Sequence, residues 1–445
     1  MKVRSIVVEL IDICNLNCAY CLRDEESLHG RAHALPIADL ERILGEAKAL
    51  GGRCAVQFTG GEPTLHPEFR KALKAVSDLG WRYTVITNGW TFPRSLPAFL
   101  EFRDSLNLIA FSIDGVTQAG HDAVRGKGSF RRLMRGVLAC RQQGLPFCFK
   151  VTMDRRKGAL LRSFVEFAVR LGASRMEIGP LLPANPSSIR DTMDIAEQHR
   201  FLSEVEQLRT ALKMPIDLAA GFFAPRPEPS CGPLLGQTIN IDYHARLVLC
   251  TVLAGFRGQK AEPDVIADLR QVPLAHALTI LLRTVEDQNR RRIAAFAELG
   301  GAYADAPLEL GSPCMDCLCS FGKMRPGLFD WAKEEKIPMD DTLLFDVPDA
   351  VIASDFDGHE GLLLDTGTQR YYKLNETATF LWAEIDKGRT VAAMIASLCG
   401  EYDVEERKAR ESVVAALSRL ESQGLIQRRS LGPSQPMTTT GASRQ

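Results

Sequence analysis

Three thiols stand close together near the start of the chain, Cys14, Cys18 and Cys21 in the stretch ICNLNCAYC. Thiolates are soft ligands that select zinc or iron–sulfur clusters, and a cubane of four irons asks for one ligand per iron. Three cysteines leave one iron open to something other than a side chain. A zinc site completed from elsewhere in the chain is the alternative. Five more cysteines come late, Cys231, Cys250, Cys314, Cys317 and Cys319. The rest of the twelve, Cys54, Cys140, Cys148 and Cys399, lie on apolar stretches and read as small core residues.

Such ligands need a framework. A chain of 445 residues with 45% hydrophobic residues is long enough for two to four packed domains. Its formal charge of -1 offers no global attraction to nucleic acid or to an anionic membrane, and neither is expected as a partner. No run of about 18 uncharged apolar residues occurs, so a cytoplasmic protein without a signal peptide or membrane span is expected. In a reducing compartment, clustered cysteines favour metal over disulfides.

From Val3 to about Pro180, short β-rich runs alternate with amphipathic helical stretches. RSIVVELI, RCAVQFTG, RYTVITNG, LNLIAFSIDG, PFCFKVTM and SRMEIGP read as six strands. Near-continuous apolar strands separated by helices imply parallel pairing, with chemistry at the carboxyl ends of the strands. Residues 191–340 are helical with proline-rich joints and hold the late cysteines. From about Asp346 come three strands at hairpin spacing and three helical stretches. The last residues, LGPSQPMTTTGASRQ, lack apolar content and are expected to be disordered.

The motifs at the strand ends share one resemblance. CxxxCxxC at Cys14, Cys18 and Cys21, with Tyr20 before the third cysteine, resembles the signature of the radical S-adenosylmethionine (SAM) superfamily, in which the methionine part of SAM fills the open iron of a 4Fe-4S cluster. TGGEP after the second strand resembles the family's GGEP loop, which implies that Gly60, Gly61 and Glu62 hold the SAM amino group. TNG ends the third strand, with Asn88 as a further contact, and SIDG ends the fourth. The resemblance implies that Ser112 and Asp114 reach the ribose, with Lys150 or Thr152 on the fifth strand as a weaker contact. HDAVRGKGSF, His121 to Phe130, matches a segment of the family's peptide-modifying branch.

INIDYHARLVLC resembles the hairpin of SPASM/Twitch auxiliary-cluster domains, with Ala245 at the glycine position of GxxxxC and Cys250 as the ligand. CMDCLC adds two more ligands, but the end of the full SPASM cysteine run is lacking. Five thiols therefore imply one auxiliary 4Fe-4S cluster, on Cys231, Cys250, Cys314 and either Cys317 or Cys319. A structural zinc site is the alternative.

YYKLNETATFLW, with Leu374, Asn375, Ala378 and Trp382, and the final LESQGLI resemble PqqD-type domains, the recognition elements of ribosomally made, post-translationally modified peptides. These bind a leader peptide as an added strand. The expected fold is α/β: a partial (β/α)6 TIM-type barrel over 1–190, a small cysteine-rich α+β auxiliary-cluster domain over 191–340, and a winged-helix-like PqqD domain over 341–430, with a tail at 431–445. The resemblances imply a radical SAM enzyme that modifies a precursor peptide held by its leader, forming a thioether or carbon–carbon cross-link. An external electron donor such as flavodoxin or ferredoxin is expected. Peptide epimerisation and protein oxidation of the sulfatase-maturase kind are alternatives within the class. An iron–sulfur regulator with a DNA-binding winged helix is the alternative outside it.

Overall fold

Apolar runs too short for helices and rich in β-branched residues become the strands of one sheet. The computed structural model describes residues 3–18, 20–22, 33–51, 53–183, 186–255, 262–324, 340–356, 360–366, 370–422 and 425–429. Residues 431–445, expected to be disordered, lie outside these. The chain divides into two units, Met1–Leu328 and Phe329–Gln445.

In the first unit the six expected strands all form: β1 (Ser5–Ile11), β2 (Ala55–Gly60), β3 (Arg82–Thr87), β4 (Leu106–Ser112), β5 (Phe147–Met153) and β6 (Met176–Pro180). They pair in sequence order and in parallel, as a partial TIM-like barrel requires. Helices α1 (Ile37–Ala49), α2 (Phe69–Asp78), α3 (Phe92–Glu101), α4 (Gln118–Arg125), α5 (Ser129–Gln143) and α6 (Leu161–Leu171) fall between the strands. Buried Ile6, Val8 and Leu10 of β1, Val56 and Phe58 of β2, and Phe111 and Phe149 of β4 and β5 form the core.

The sheet continues at both edges. After α7 (Ile195–Leu212), β7 (Ile216–Leu218) adds to β6 in parallel. At the other edge β8 (Thr238–Ile241) pairs in parallel with β1, Ser5 opposite Thr238, and is followed by antiparallel β9 (Arg246–Val248) and β10 (Val265–Asp268). The cysteine-rich segment is thus hydrogen-bonded into the barrel's own sheet. Helices α8 (Leu274–Ala297) and α9 (Pro313–Ser320) follow β10.

The second unit has the short pair β11 (Phe345–Asp346) and β15 (Gln427–Arg428), and an antiparallel sheet of β12 (Val351–Phe356), β13 (Glu360–Asp365) and β14 (Arg370–Leu374). Helices α10 (Glu376–Asp386), α11 (Val391–Tyr402) and α12 (Glu406–Ser422) complete it. Leu374 and Trp382 belong to its core, with Leu381, Met394, Val413 and Leu425. Asn375 caps α10 by accepting the Ala378 N–H at 2.9 Å, which explains the residue types in LNETA.

Candidate active site

The loop after β1 carries Cys14, Cys18 and Cys21, and it is pinned to the loop after β2. Gly61 donates its N–H to Ile11 O at 2.7 Å and Glu62 to Ile13 O at 2.9 Å. This approach excludes side chains: Gly60 has φ +123° and its Cβ would lie 2.5 Å from Ile11 O. The glycines, expected beside SAM, thus have the backbone of the cysteine loop as their immediate neighbour.

Glu62 is buried, and its carboxylate is engaged by the protein. Oε1 accepts from Thr87 Oγ1 at 2.7 Å and Thr64 Oγ1 at 2.5 Å, and Oε2 accepts from the Asn88 N–H at 2.7 Å. Burial pushes its carboxyl above the usual range, although these hydrogen bonds pull the other way. Asn88 Nδ2 in turn donates to Asn15 Oδ1 at 3.0 Å and stands 3.6 Å from Cys14 Sγ. Glu62 and Asn88 therefore tie the ends of β2 and β3 to the first cysteine.

Asp114, expected at the ribose, is buried with both oxygens occupied: Lys157 Nζ donates to Oδ1 at 2.7 Å, and Arg125 Nε and the Tyr20 hydroxyl donate to Oδ2 at 2.5 and 2.6 Å. Burial raises its carboxyl, but the two cations outweigh that and hold it below the usual range. Ser112 is half-buried at the end of β4, opposite Lys150 in register. Lys150 pairs with Glu177 of β6 at 3.2 Å. Arg125 and Lys157 were not singled out from sequence; a basic residue four positions after His121 on one helix was the available signal.

The late cysteines separate. Cys314 has Cys250 and Cys231 as electrostatic neighbours, and Cys317 has Cys314, Cys231 and Cys250. Cys319, lifted to about 11 by burial, has only the acids Glu309 and Asp316 in that role. Cys231, Cys250, Cys314 and Cys317 are thus within electrostatic reach of one another, and Cys319 is not among them. On α9 the reason is helical spacing, since positions three apart share a face and the fifth does not. Ala245 takes φ +59°, the left-handed conformation that a glycine at this position would supply. Cys54, Cys140 and Cys148 are buried as core residues, and Cys399 is partly buried against the core of the second unit.

Residues 8–155, spanning β1 to β5 and their loops, match the family model of the radical SAM superfamily. These residues form a radical SAM domain. Residues 360–426 match a second model, coenzyme PQQ synthesis protein D (PqqD). The chain is 31% identical over 177 residues to a PqqA peptide cyclase of Ruegeria pomeroyi, covering 39% of this chain and 46% of that protein. It is 26% identical over 325 residues to the AdoMet-dependent heme synthase of Methanosarcina barkeri, covering 73% and 90% of the two chains. Among solved structures, anSMEcpe with bound AdoMet and Cp18Cys peptide superposes with TM-score 0.51 at 15% identity, over 65% of this chain and 84% of that one. Streptococcus suis SuiB bound to S-adenosylmethionine gives 0.50 at 17%, over 62% and 65%. At such identities the likeness is one of fold.

A radical SAM domain implies SAM and a 4Fe-4S cluster as cofactors. The first cysteine set fits that cluster: three free, half-buried thiols on one strand-end loop. Burial lifts Cys14 to about 11, with Glu62, Cys18 and Cys21 adding to it, a cost that a bound cation removes. Among the described residues no three metal-binding side chains converge as a single ion would require. Among the described residues, too, no helix is long and apolar enough to cross a membrane.

Proposed function

We infer that this chain is a radical SAM enzyme of peptide maturation, which takes a hydrogen atom from a ribosomally made precursor and leaves a thioether or carbon–carbon cross-link. The observation that carries this reading is the joining of a radical SAM domain at 8–155 to a PqqD domain at 360–426 in one chain. Cys14, Cys18 and Cys21 hold the cluster, which when bound supplies the electron that cleaves SAM to methionine and a 5′-deoxyadenosyl radical. Gly60, Gly61, Glu62 and Asn88 set the loop on which those ligands sit, and Ser112 and Lys150 border the space at the strand ends. Cys231, Cys250, Cys314 and Cys317 hold an auxiliary 4Fe-4S cluster, with Cys319 outside it. Electrons come from an external donor of the flavodoxin or ferredoxin kind.

The PqqD domain holds the leader by main-chain hydrogen bonds to an open strand of its sheet. Tethering the grip to the catalyst raises the local substrate concentration towards roughly the millimolar range, so modest leader affinity suffices. A DNA-binding role fits less well: on α12 Arg407 pairs with Glu411 at 2.9 Å and Arg410 with Asp341 at 2.6 Å, which leaves its cations interleaved with acids. Epimerisation needs a thiol to return a hydrogen, and Cys148 is buried in an apolar cluster with Leu108 and Ala110.

Anaerobically reconstituted protein, reduced with dithionite and given SAM, should release 5′-deoxyadenosine. Co-expression with short open reading frames from the same locus, read by mass spectrometry, should show loss of a pair of hydrogens from one peptide. An unchanged mass with altered stereochemistry would move the assignment to an epimerase, and absence of 5′-deoxyadenosine would remove the enzyme reading.

A further inference from the structure

The segment HDAVR and the residue Lys157 have no part in the reading above, yet their side chains meet at Tyr20, inside the first cysteine turn. That turn is closed by the Cys21 N–H donating to Cys18 O at 2.9 Å. The Tyr20 hydroxyl donates to Asp114 Oδ2 at 2.6 Å and accepts from Arg125 Nη2 at 2.7 Å, so both of its hydrogen-bonding roles are filled. Lys157 Nζ, on Asp114 Oδ1 at 2.7 Å, also lies 3.3 Å from Asp154 and 4.8 Å from the centre of the Tyr20 ring. The side chains of Asp114, Lys157 and Arg125 are 0%, 7% and 9% exposed.

The spacing in HDAVR follows from this. His121 and Arg125 are four apart on α4 and face the same way. His121 Nδ1 accepts the Asp114 N–H at 3.2 Å and fixes its backbone, while Arg125 fixes its carboxylate. Asp122, between them, caps the next helix by accepting the Gly128 and Phe130 N–H groups, each at 2.8 Å. A phenylalanine at position 20 would fill the same volume, so apolar packing does not account for a hydroxyl held between an acid and a base.

We propose that Asp114, Arg125 and Lys157 form a buried clamp on the Tyr20 hydroxyl that fixes the Cys18–Cys21 turn and so sets how tightly that turn retains its cluster. In this role Tyr20 and the clamp are positioning residues, acting through the turn. The clamp rests on the reading of Cys14, Cys18 and Cys21 as cluster ligands.

The test compares Tyr20→Phe with the unaltered protein, both reconstituted anaerobically with iron and sulfide. A reduced cluster whose EPR spectrum changes on adding SAM must first be present in the unaltered protein; its absence would defeat the ligand reading and the clamp with it. Given that signal, Tyr20→Phe should lose the SAM-responsive cluster to a chelator roughly ten times faster, the scale typical of outer-shell changes at metal sites. Without iron its thermal midpoint should fall by only a few degrees, the cost of one buried hydrogen bond, so the faster loss does not reflect unfolding. Lys157→Gln should show the same fast loss and Lys157→Arg should restore slow loss; this pair decides the matter if Tyr20→Phe does not fold. Equal loss rates and identical EPR spectra in Tyr20→Phe and the unaltered protein would overturn the clamp and leave the ligand reading intact.

Discussion

A side-chain carbon on Gly61 would lie 1.9 Å from the carbonyl oxygen of Ile13, inside any allowed contact. The two loops are also joined by the Glu62 N–H on that same oxygen at 2.9 Å, so neither can yield without losing the bond. Gly61→Ala should therefore destabilise the first unit by about 3 kcal/mol or more, as overpacking against backbone does. Denaturant unfolding gives the loss. Iron bound per chain should fall as well, because the displaced segment carries Cys14.

His121 gives an acid-side signature. Burial, with Arg125 adding to it, pushes this imidazole down from 6.5 to about 4, and its Nε2 has no hydrogen-bond partner among the described residues. Between those values the unfolded chain binds a proton that the folded chain refuses, so stability is lost as pH falls from 6.5 towards 4. The contribution is at most roughly 3 kcal/mol. His121→Asn keeps an acceptor for the Asp114 N–H and does not titrate, so thermal midpoints of the iron-free protein at pH 7 and 5 should converge in that variant.

The two cysteines of CMDCLC that the sequence leaves equivalent should differ on replacement. Cys317→Ser should remove the iron of the auxiliary set, while Cys319→Ser should retain it. Iron and sulfide content after anaerobic reconstitution reads the difference, and equal losses would mean that Cys319 turns inward when metal binds.

Ala245, fully buried, holds φ +59°. A left-handed conformation costs an L residue roughly 1–2 kcal/mol. Ala245→Gly relieves this but loses a buried methyl of about 0.8 kcal/mol and loosens the unfolded chain by a similar amount. The balance is stability within about 1 kcal/mol of the parent, whereas Ala245→Val, β-branched in that conformation, should cost about 2 kcal/mol or more. Denaturation midpoints of both variants check the contrast.

The barrel was legible because its strands are apolar enough to announce themselves, and the radical SAM domain because CxxxCxxC is a local pattern. What stayed hidden depends on distance along the chain. INIDYHARLVLC reads as a hairpin, but the partner of its first strand, Ser5–Val8, lies more than two hundred residues earlier. Nothing near Asp114 in sequence shows Lys157, 43 residues on, holding its oxygen. Gly60 and Gly61 were recognised as positions where something must come close, but the sequence could not say that this something includes the chain itself. In the second unit, Asn375 and Trp382 marked the domain correctly while doing capping and packing.

β1 has β2 on one side and β8 on the other. A protein cut after residue 190 would leave Ile6, Val8 and Leu10 on a strand with a bare row of amide and carbonyl groups, the kind of margin through which chains stick to one another. The barrel alone should come out of cells as aggregate, and any shortened version meant to stay in solution has to keep the residues through Asp268.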